Sequence, residues 1–175
     1  MFSKNTRRLA PLAAIAALFL AAAPASADVS RPPWLQQFSF EIPAAESCEE
    51  FDLGISGTNG KVTQITFNNG KLFRVGKGVL LTYTNLDTGK TYTVNTAGTA
   101  GRYTQNPDGT WTFEATGHTG FVYFSTDVVG PGQLGPQATQ YTGRLLLTID
   151  SPETLNVLSV DATSGKTVDI CAALS

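Results

Sequence analysis

The sequence predicts an all-β domain, an antiparallel sandwich or barrel of about ten short strands, preceded by a signal peptide. Threonine, β-branched and aromatic residues are frequent throughout residues 48–175, and apolar and polar side chains alternate in several short segments. Turn residues separate these segments at regular intervals, and no segment after the leader has the spacing of an amphipathic helix. A sandwich and a barrel both fit this pattern, and the sequence does not choose between them.

The first 27 residues have the pattern of an export signal. Lys4, Arg7 and Arg8 precede an uncharged apolar run at 9–23, and Ala25-Ser26-Ala27 supplies small residues for cleavage. The apolar run is shorter than the ~20 residues that a membrane-spanning helix needs. We therefore expect this segment to be removed and the protein to be secreted to the extracellular space, without membrane attachment. Sec and twin-arginine export both stay open.

The rest of the chain divides into an N-terminal arm, residues 28–47, and a single β domain, residues 48–175. The arm contains three prolines and no clear periodicity, so we expect an extended chain. Its large apolar side chains are expected to dock on the domain: Trp34, Leu35, Phe38 and Phe40.

The two cysteines predict one disulfide. Cys48 opens the first expected strand and Cys171 lies in the last. One pair allows one connectivity, and an exported chain meets an oxidising environment. The alternative is a pair of free thiols in a metal or catalytic site, which suits that compartment less well.

The first half of the domain predicts strands joined by tight turns. Phe51, Leu53 and Ile55 alternate with polar residues or glycine, as in a strand with one buried face. Strands at 61–67 and 71–75 flank Asn69-Gly70, a pair that favours a type I′ turn because both residues tolerate positive φ. Strands at 79–84 and 92–94 flank a turn at 87–89.

The second half continues the pattern. Strands at 103–105 and 111–113 flank Asn106-Pro107-Asp108-Gly109, in which proline presets φ and glycine closes the turn. Further strands are expected at 121–124, 144–150, 154–162 and 166–171, with a turn at Ser164-Gly165 between the last two.

The composition argues against two classes of partner. Without the leader, nine basic side chains stand against fourteen acidic ones. Nucleic acid and anionic membrane both select basic surfaces, so we expect neither as a partner. The sequence has a single histidine and no acidic calcium-binding loop, so we expect no metal and no cofactor.

The candidate catalytic residues are His118, Glu114 and Asp127. Glycines on both sides place His118 in a turn, and a histidine needs an oriented partner to act as a general base. Two carboxylates across a cleft could also hydrolyse a glycosidic bond. A further acidic group, which could also bind calcium, surrounds the first strand: Glu41, Glu46, Glu49, Glu50 and Asp52. The simpler interpretation is a surface turn and solvated strand faces.

Residues 127–143, DVVGPGQLGPQATQYTG, predict a long loop. Loops of this length are often functional, although a crossover between two sheets is the simpler interpretation. Exposed aromatic residues could stack on a sugar, and buried ones would fill the core. The aromatic residues considered are Trp34, Tyr103, Trp111, Tyr123 and Tyr141; Trp111, Tyr123 and Tyr141 are the candidate ligand-binding residues.

Several segments resemble a group of small secreted actinobacterial proteins of unknown function. The likeness covers most of 48–174 and is carried by Cys48, TFNNGKLFRVGKG at 66–78, TNLDTGKTYT at 84–93, YTGRLLLTID at 141–150 and DICAAL at 169–174. The resemblance implies export, a β fold and the cysteine pair. It implies no activity and no catalytic residue.

The sequence therefore favours an exported, non-catalytic β domain that binds an extracellular ligand, whether a cell-wall component, a small molecule or a protein. Two other classes stay open: a secreted hydrolase that uses a carboxylate pair, and a structural or protein-interaction module. The fold alone does not choose between them.

Overall fold

The computed structural model describes residues 26–175, so residues 1–25 of the predicted signal peptide lie outside the described part. The described residues form thirteen strands, one short α-helix and two 3-10 turns. No helix within 26–175 is long and apolar enough to cross a bilayer. The predicted all-β class is confirmed, and the architecture is an antiparallel sandwich.

The larger sheet has seven strands in the spatial order β1-β4-β5-β8-β9-β12-β13. Their bounds are β1 Ala27–Ser30, β4 Val62–Phe67, β5 Leu72–Gly76, β8 Ala100–Gln105, β9 Trp111–Tyr123, β12 Gln137–Ile149 and β13 Val157–Asp169. The smaller sheet has the order β2-β3-β6-β7. Its strands are β2 Phe38–Ile42, β3 Leu53–Thr58, β6 Leu80–Asn85 and β7 Thr91–Asn95. A separate hairpin pairs β10 Val128–Gly130 with β11 Gln133–Leu134.

The N-terminal arm belongs to both sheets. β1 pairs with β4 at the edge of the larger sheet, and β2 pairs with β3 at the edge of the smaller one. Between them, a 3-10 turn at Pro33–Leu35 leads to Gln36. The Gln36 side-chain amide donates to the Val62 carbonyl (2.8 Å) and accepts from the Val62 N–H (2.9 Å). The arm therefore connects the two sheets along one side of the sandwich.

Three long strands carry a row of glycines. In β9, β12 and β13, Gly117 pairs with Gly143, and Gly143 pairs with Gly165. Their φ angles are 111°, 137° and 93°, which L-residues rarely adopt. A Cβ at Gly143 would overlap the Ser164 carbonyl, and one at Gly165 would overlap the Thr142 carbonyl. Glycine at these positions therefore lets the strands continue where their backbones approach closely.

Two sequence predictions are wrong at this row. His118 was expected in a turn, but it lies within the unbroken strand β9, next to Gly117. Ser164-Gly165 was expected to separate two strands, but both residues lie within β13 and pair with β12. In each case glycine permits a close cross-strand approach instead of reversing the chain.

The prediction of a long loop at 127–143 is also wrong, because most of this segment forms strands. A short hairpin, β10 and β11, occupies 128–134, and β12 begins at Gln137. Ala138 and Thr139 are consecutive and both buried, because β12 is covered on both faces at this point. A strand covered on both faces lacks the period-two alternation by which strands are recognised.

Two of the predicted turns connect strands in the expected places. In the turn after β4, Gly70 has a φ of 79° and donates its N–H to the Phe67 carbonyl (2.9 Å). Asn69 does not have positive φ, so the expected type I′ turn is replaced by one with a single left-handed residue. The turn between β8 and β9 closes through Gly109, whose N–H donates to the Asn106 carbonyl (3.1 Å).

The last expected strand, 166–171, ends two residues early, because β13 stops at Asp169 and a short helix, α1 Ile170–Leu174, follows. The Asp169 side chain caps this helix by accepting from the Ala172 N–H (3.0 Å). Cys171 lies in this helix and Cys48 lies before β3, and the predicted disulfide between them is confirmed. Because α1 follows the last strand of the larger sheet and Cys48 precedes a strand of the smaller one, the disulfide links the two sheets.

The apolar core has two parts. One part packs the smaller sheet against α1 and β12, with Leu53, Tyr83, Val94, Ala138 and Ile170 all buried. The other is formed by residues of the larger-sheet strands β8, β9, β12 and β13: Tyr103, Phe113, Ala115, Tyr123, Tyr141, Leu145, Leu147, Ile149 and Val157. The second half of β9 and the first half of β12 contribute side chains to both parts of the core.

Replacement of both cysteines, Cys48→Ala with Cys171→Ala, is expected to lower the free energy of unfolding by about 2–5 kcal/mol, because it releases a long loop in the unfolded chain. Urea denaturation followed by tryptophan fluorescence measures the change. Dithiothreitol should destabilise the natural protein and leave the double variant unaffected. Equal stability of the two proteins without reductant would contradict the structural role of this bond.

Gly143→Ala is expected to destabilise the protein more than Gly89→Ala. Both positions have positive φ, but open space surrounds Gly89, whereas a Cβ at Gly143 meets the Ser164 backbone. The Gly89 variant should lose about 1–2 kcal/mol from its dihedral angle alone. The Gly143 variant should lose about 3 kcal/mol or more. Equal urea midpoints for the two variants would show that the glycine row is not required for close strand approach.

Candidate binding cleft

An open cleft of about 490 Å³ lies between the two sheets. Six aromatic side chains line it: Trp34, Phe38, Phe40, Tyr83, Phe121 and Phe124. Six aliphatic side chains complete most of the wall: Leu35, Ile42, Ile55, Leu81, Val122 and Leu155. Gly120 and Thr154 are the other lining residues, and no side chain of this set carries a charge.

The strand geometry explains how these side chains converge. Phe38 and Phe40 are two residues apart on β2 and therefore point to the same face, where their rings stack with centroids 5.8 Å apart. Gly57 pairs with Phe38 on the neighbouring strand β3, and a Cβ there would overlap the Phe38 ring. Glycine at this position lets the ring lie flat on the sheet and leaves the cleft open.

The rim of the cleft is exposed and apolar. Trp34, Phe40 and Phe124 are 54%, 49% and 37% exposed. Side chains of this size are usually buried, so three of them around one concavity mark a surface that can exclude water from a ligand.

Trp34 is held in place by Arg74. The Arg74 guanidinium lies 5.0 Å from the Trp34 ring centroid and 4.9 Å from that of Tyr103, so it is stacked between the two rings. It also donates to the Tyr103 hydroxyl (2.9 Å) and to the Gln64 side-chain oxygen (3.1 Å). The exposed indole is therefore positioned by the larger sheet although it belongs to the arm.

The floor of the cleft contains the Tyr83 hydroxyl. Tyr83 is 2% exposed, and burial raises its pKa, so the phenol stays protonated at neutral pH. A Cβ at Gly120 would overlap the hydroxyl oxygen, so the absence of a side chain at Gly120 makes space for it. The chain has five tyrosines. The hydroxyls of the other four have hydrogen-bond partners, but no hydrogen bond of the described residues includes the Tyr83 hydroxyl.

Strand β9 has no paired strand on its β8 side in the part that reaches the cleft. Strand β8 begins at Ala100, opposite Thr116, so β9 continues past the end of this pairing. The next backbone groups on that side belong to His118, and the Thr99 hydroxyl satisfies both: it donates to the carbonyl (2.7 Å) and accepts from the N–H (3.1 Å).

Beyond His118, the edge of β9 faces the cleft. Backbone groups of an antiparallel strand point alternately to its two neighbours, so Gly120 and Val122 point to the same side as His118, away from β12. Both residues line the cleft. The polar groups available at its floor are therefore the Tyr83 hydroxyl and the backbone N–H and C=O groups of this strand edge.

A second, smaller cavity of about 170 Å³ adjoins the cleft, since Leu35 and Phe38 line both. Its lining includes Arg74, Tyr103 and Thr119. The Thr119 hydroxyl is buried, and no described residue supplies it with a hydrogen-bond partner.

The three candidate catalytic residues lie apart in different environments. His118 is exposed on β9, and Glu114 lies four residues earlier on the same strand, about 13 Å away at strand spacing. Glu114 accepts from Arg144 (2.6 Å) and lies 3.6 Å from Arg102, and the Arg144 hydrogen bond lowers its pKa. Glu114 therefore forms a surface ion-pair cluster.

Asp127 has a structural position. It is 1% exposed and accepts from the backbone N–H groups of Phe124 (2.7 Å) and Val157 (2.7 Å). These bonds join the end of β9 to the start of β13, and Asp127 is not among the residues that line the cleft.

The acidic group near the first strand is dispersed. Glu46 accepts from the backbone N–H (3.0 Å) and hydroxyl of Ser125, and the backbone bond is the larger cause of its lowered pKa. Asp52 accepts from the Ala44 N–H (2.8 Å). Glu41, Glu49 and Glu50 are exposed. Within 26–175, no three acidic, histidine or cysteine side chains are grouped so that they could hold a metal ion.

The three candidate ligand-binding aromatics do not line the cleft. Tyr123 and Tyr141 are buried in the core, where their hydroxyls are 2.7 Å apart. Trp111 is half-buried at the start of β9 and packs on the same core. Among the aromatics considered as a platform, Trp34 lines the cleft, and the arm residues that were expected to dock on the domain supply much of its wall.

Comparison of the chain with protein-family models, with curated proteins and with solved structures finds no match.

Stability is expected to fall as pH rises above 10, because burial raises the pKa of four phenols above the ordinary value of 10.0: Tyr83, Tyr103, Tyr123 and Tyr141. In that range the unfolded chain releases these protons while the folded chain retains them, so the free energy of unfolding decreases with pH. Tyrosinate absorbance during alkaline titration, compared with the same titration in urea, measures this. Ionisation of all five phenols near pH 10 in the folded protein would contradict the burial.

Proposed function

We propose that the protein is an exported, non-catalytic binding module that takes an apolar small molecule into the cleft between its sheets. The observation that carries the proposal is the cleft of about 490 Å³ with its aromatic and aliphatic wall. Sites for small molecules usually have volumes of roughly 300–1,000 Å³ and a mostly apolar lining with a few polar groups. The leader pattern and the Cys48–Cys171 bond both suit an exported protein.

The chemistry of the wall favours a small apolar molecule over a cell-wall polysaccharide. Thr154 and Tyr83 are the lining side chains with a hydroxyl, and none of the lining residues is charged. Sugar hydroxyls buried against such a wall would lose their hydrogen bonds to water without replacement, and each would cost free energy. An apolar ligand gains free energy in proportion to the area that it removes from water.

The hydrolase alternative has less support. Glu114 is engaged by two arginines, Asp127 by two backbone N–H groups, and Glu46 by Ser125. None of these carboxylates is among the residues that line the cleft, so none faces another across it. A protein-interaction module would present its apolar residues on a flat patch, whereas here Trp34, Phe40 and Phe124 surround a concavity.

The natural protein is expected to bind N-phenylnaphthylamine, a neutral apolar fluorophore whose emission increases in an apolar site. Phe40→Ala and Phe124→Ala should each weaken binding about fivefold to tenfold, because each removes part of an apolar rim. Fluorescence titration gives the dissociation constants.

The matched controls are Leu158→Ala and Leu134→Ala, which remove exposed apolar side chains (47% and 64% exposed) outside the cleft. Their affinities should equal that of the natural protein. Non-saturable fluorescence, or equal losses in rim and control variants, would contradict binding in this cleft.

A further inference from the structure

The floor of the cleft has a feature that apolar contact alone does not explain. Tyr83 is 2% exposed, lines the cleft and has no hydrogen-bond partner among the described residues. Among the described residues, the Thr119 hydroxyl is the fully buried side-chain polar atom without a partner, so the Tyr83 hydroxyl is accessible from the open cleft. The Tyr83 hydroxyl adds no hydrogen bond to the fold, and a phenylalanine ring would fill the same space. The other four tyrosines satisfy their hydroxyls within the protein, which makes Tyr83 the exception.

The surroundings of the hydroxyl restrict what can bind it. No lining side chain carries a positive charge, so a carboxylate or phosphate at the floor would be desolvated without a counter-charge. The phenol is protonated and can donate, and Gly120 and Val122 of the β9 edge border the cleft beside it. A neutral oxygen that accepts a hydrogen bond fits this arrangement.

We propose that the ligand is a neutral molecule with an apolar body and one hydrogen-bond-accepting oxygen, of the ketone, ester or ether type, at the end that reaches the Tyr83 hydroxyl. This inference rests on the proposed function, since it names the class of molecule that the cleft takes. The aromatic and aliphatic wall contacts the apolar body, and Tyr83 selects the orientation in which the oxygen enters first. An equally apolar molecule without that oxygen binds, but without the contribution of the hydroxyl.

The test compares two neutral fluorophores on the natural protein and on Tyr83→Phe. Prodan carries a naphthalene body and a ketone, and its emission moves to longer wavelength when the ketone accepts a hydrogen bond. N-phenylnaphthylamine has a similar body and no carbonyl. In Tyr83→Phe, prodan should bind about threefold to tenfold more weakly, which is the usual range for one neutral hydrogen bond. Its bound emission should move to shorter wavelength, and N-phenylnaphthylamine affinity should stay within about twofold.

Tyr123→Phe is the matched control, because it removes a buried hydroxyl that bonds to Tyr141 outside the cleft. It should lower the urea midpoint and leave prodan affinity and emission unchanged. Tyr83→Phe should keep or raise the urea midpoint, because it removes a hydroxyl without a partner.

Unchanged prodan affinity and emission in Tyr83→Phe, with N-phenylnaphthylamine still bound, overturns the inference and leaves the proposed function standing. Loss of prodan binding in Tyr123→Phe as well overturns it too, because the effect is then not local to the cleft. Failure of the natural protein to bind either fluorophore overturns both proposals.

Discussion

The glycine row Gly117, Gly143 and Gly165 is the constraint on which the rest of the sandwich depends. It lets three strands of thirteen residues run unbroken through a point where side chains would collide with neighbouring backbones. On one side of the row, β9 is flanked by β8 and β12. On the other side β8 is absent, and the smaller sheet covers the face of β9 and β12 instead. One half of β9 therefore has a paired strand on each side, and the other half packs against the smaller sheet. The cleft lies beside this second half.

The N-terminal arm forms one wall of the cleft beside this part of β9. β1 and β2 are added to different sheets, and the turn between them places Trp34 and Leu35 beside the opening. Arg74 of the larger sheet stacks on the Trp34 ring. In the smaller sheet, the Phe38 ring lies over Gly57 of β3, where a side chain would overlap it. Because both sheets position the arm, the wall of the cleft is preorganised, and the proposed ligand would order few side chains on binding.

Sequence patterns predicted the fold class and the positions of the turns at Asn69-Gly70 and Asn106–Gly109, because local residue preferences determine these features. The disulfide was predictable because two cysteines in an exported chain allow one pairing. The patterns did not predict the continuous strands through His118 and Gly165, since a glycine that permits close approach has the same local signature as one in a turn. The sequence did not indicate which residues line the cleft, for a related reason. Tyr83 is one of several alternating aromatics, and its unusual position depends on Gly120, thirty-seven residues away in sequence. Only the packing of two sheets brings them together.

Most buried polar groups of the described residues have hydrogen-bond partners, and those without one lie at the cavities. Elsewhere in the described residues buried polarity is paired: Asp127 with two N–H groups, Asn85 with the end of α1, and Tyr123 with Tyr141. The buried Thr119 hydroxyl has no partner among these residues, and neither has the Tyr83 hydroxyl, which is accessible from the cleft; the two residues line adjoining cavities. Folding gains no hydrogen bond from these two groups, and at Thr119 a valine would occupy the same volume without a buried, unpaired hydroxyl. A hydroxyl without a partner at the base of an apolar cleft, next to a strand edge that lacks a neighbour, therefore supports the proposal of a ligand whose oxygen accepts from Tyr83.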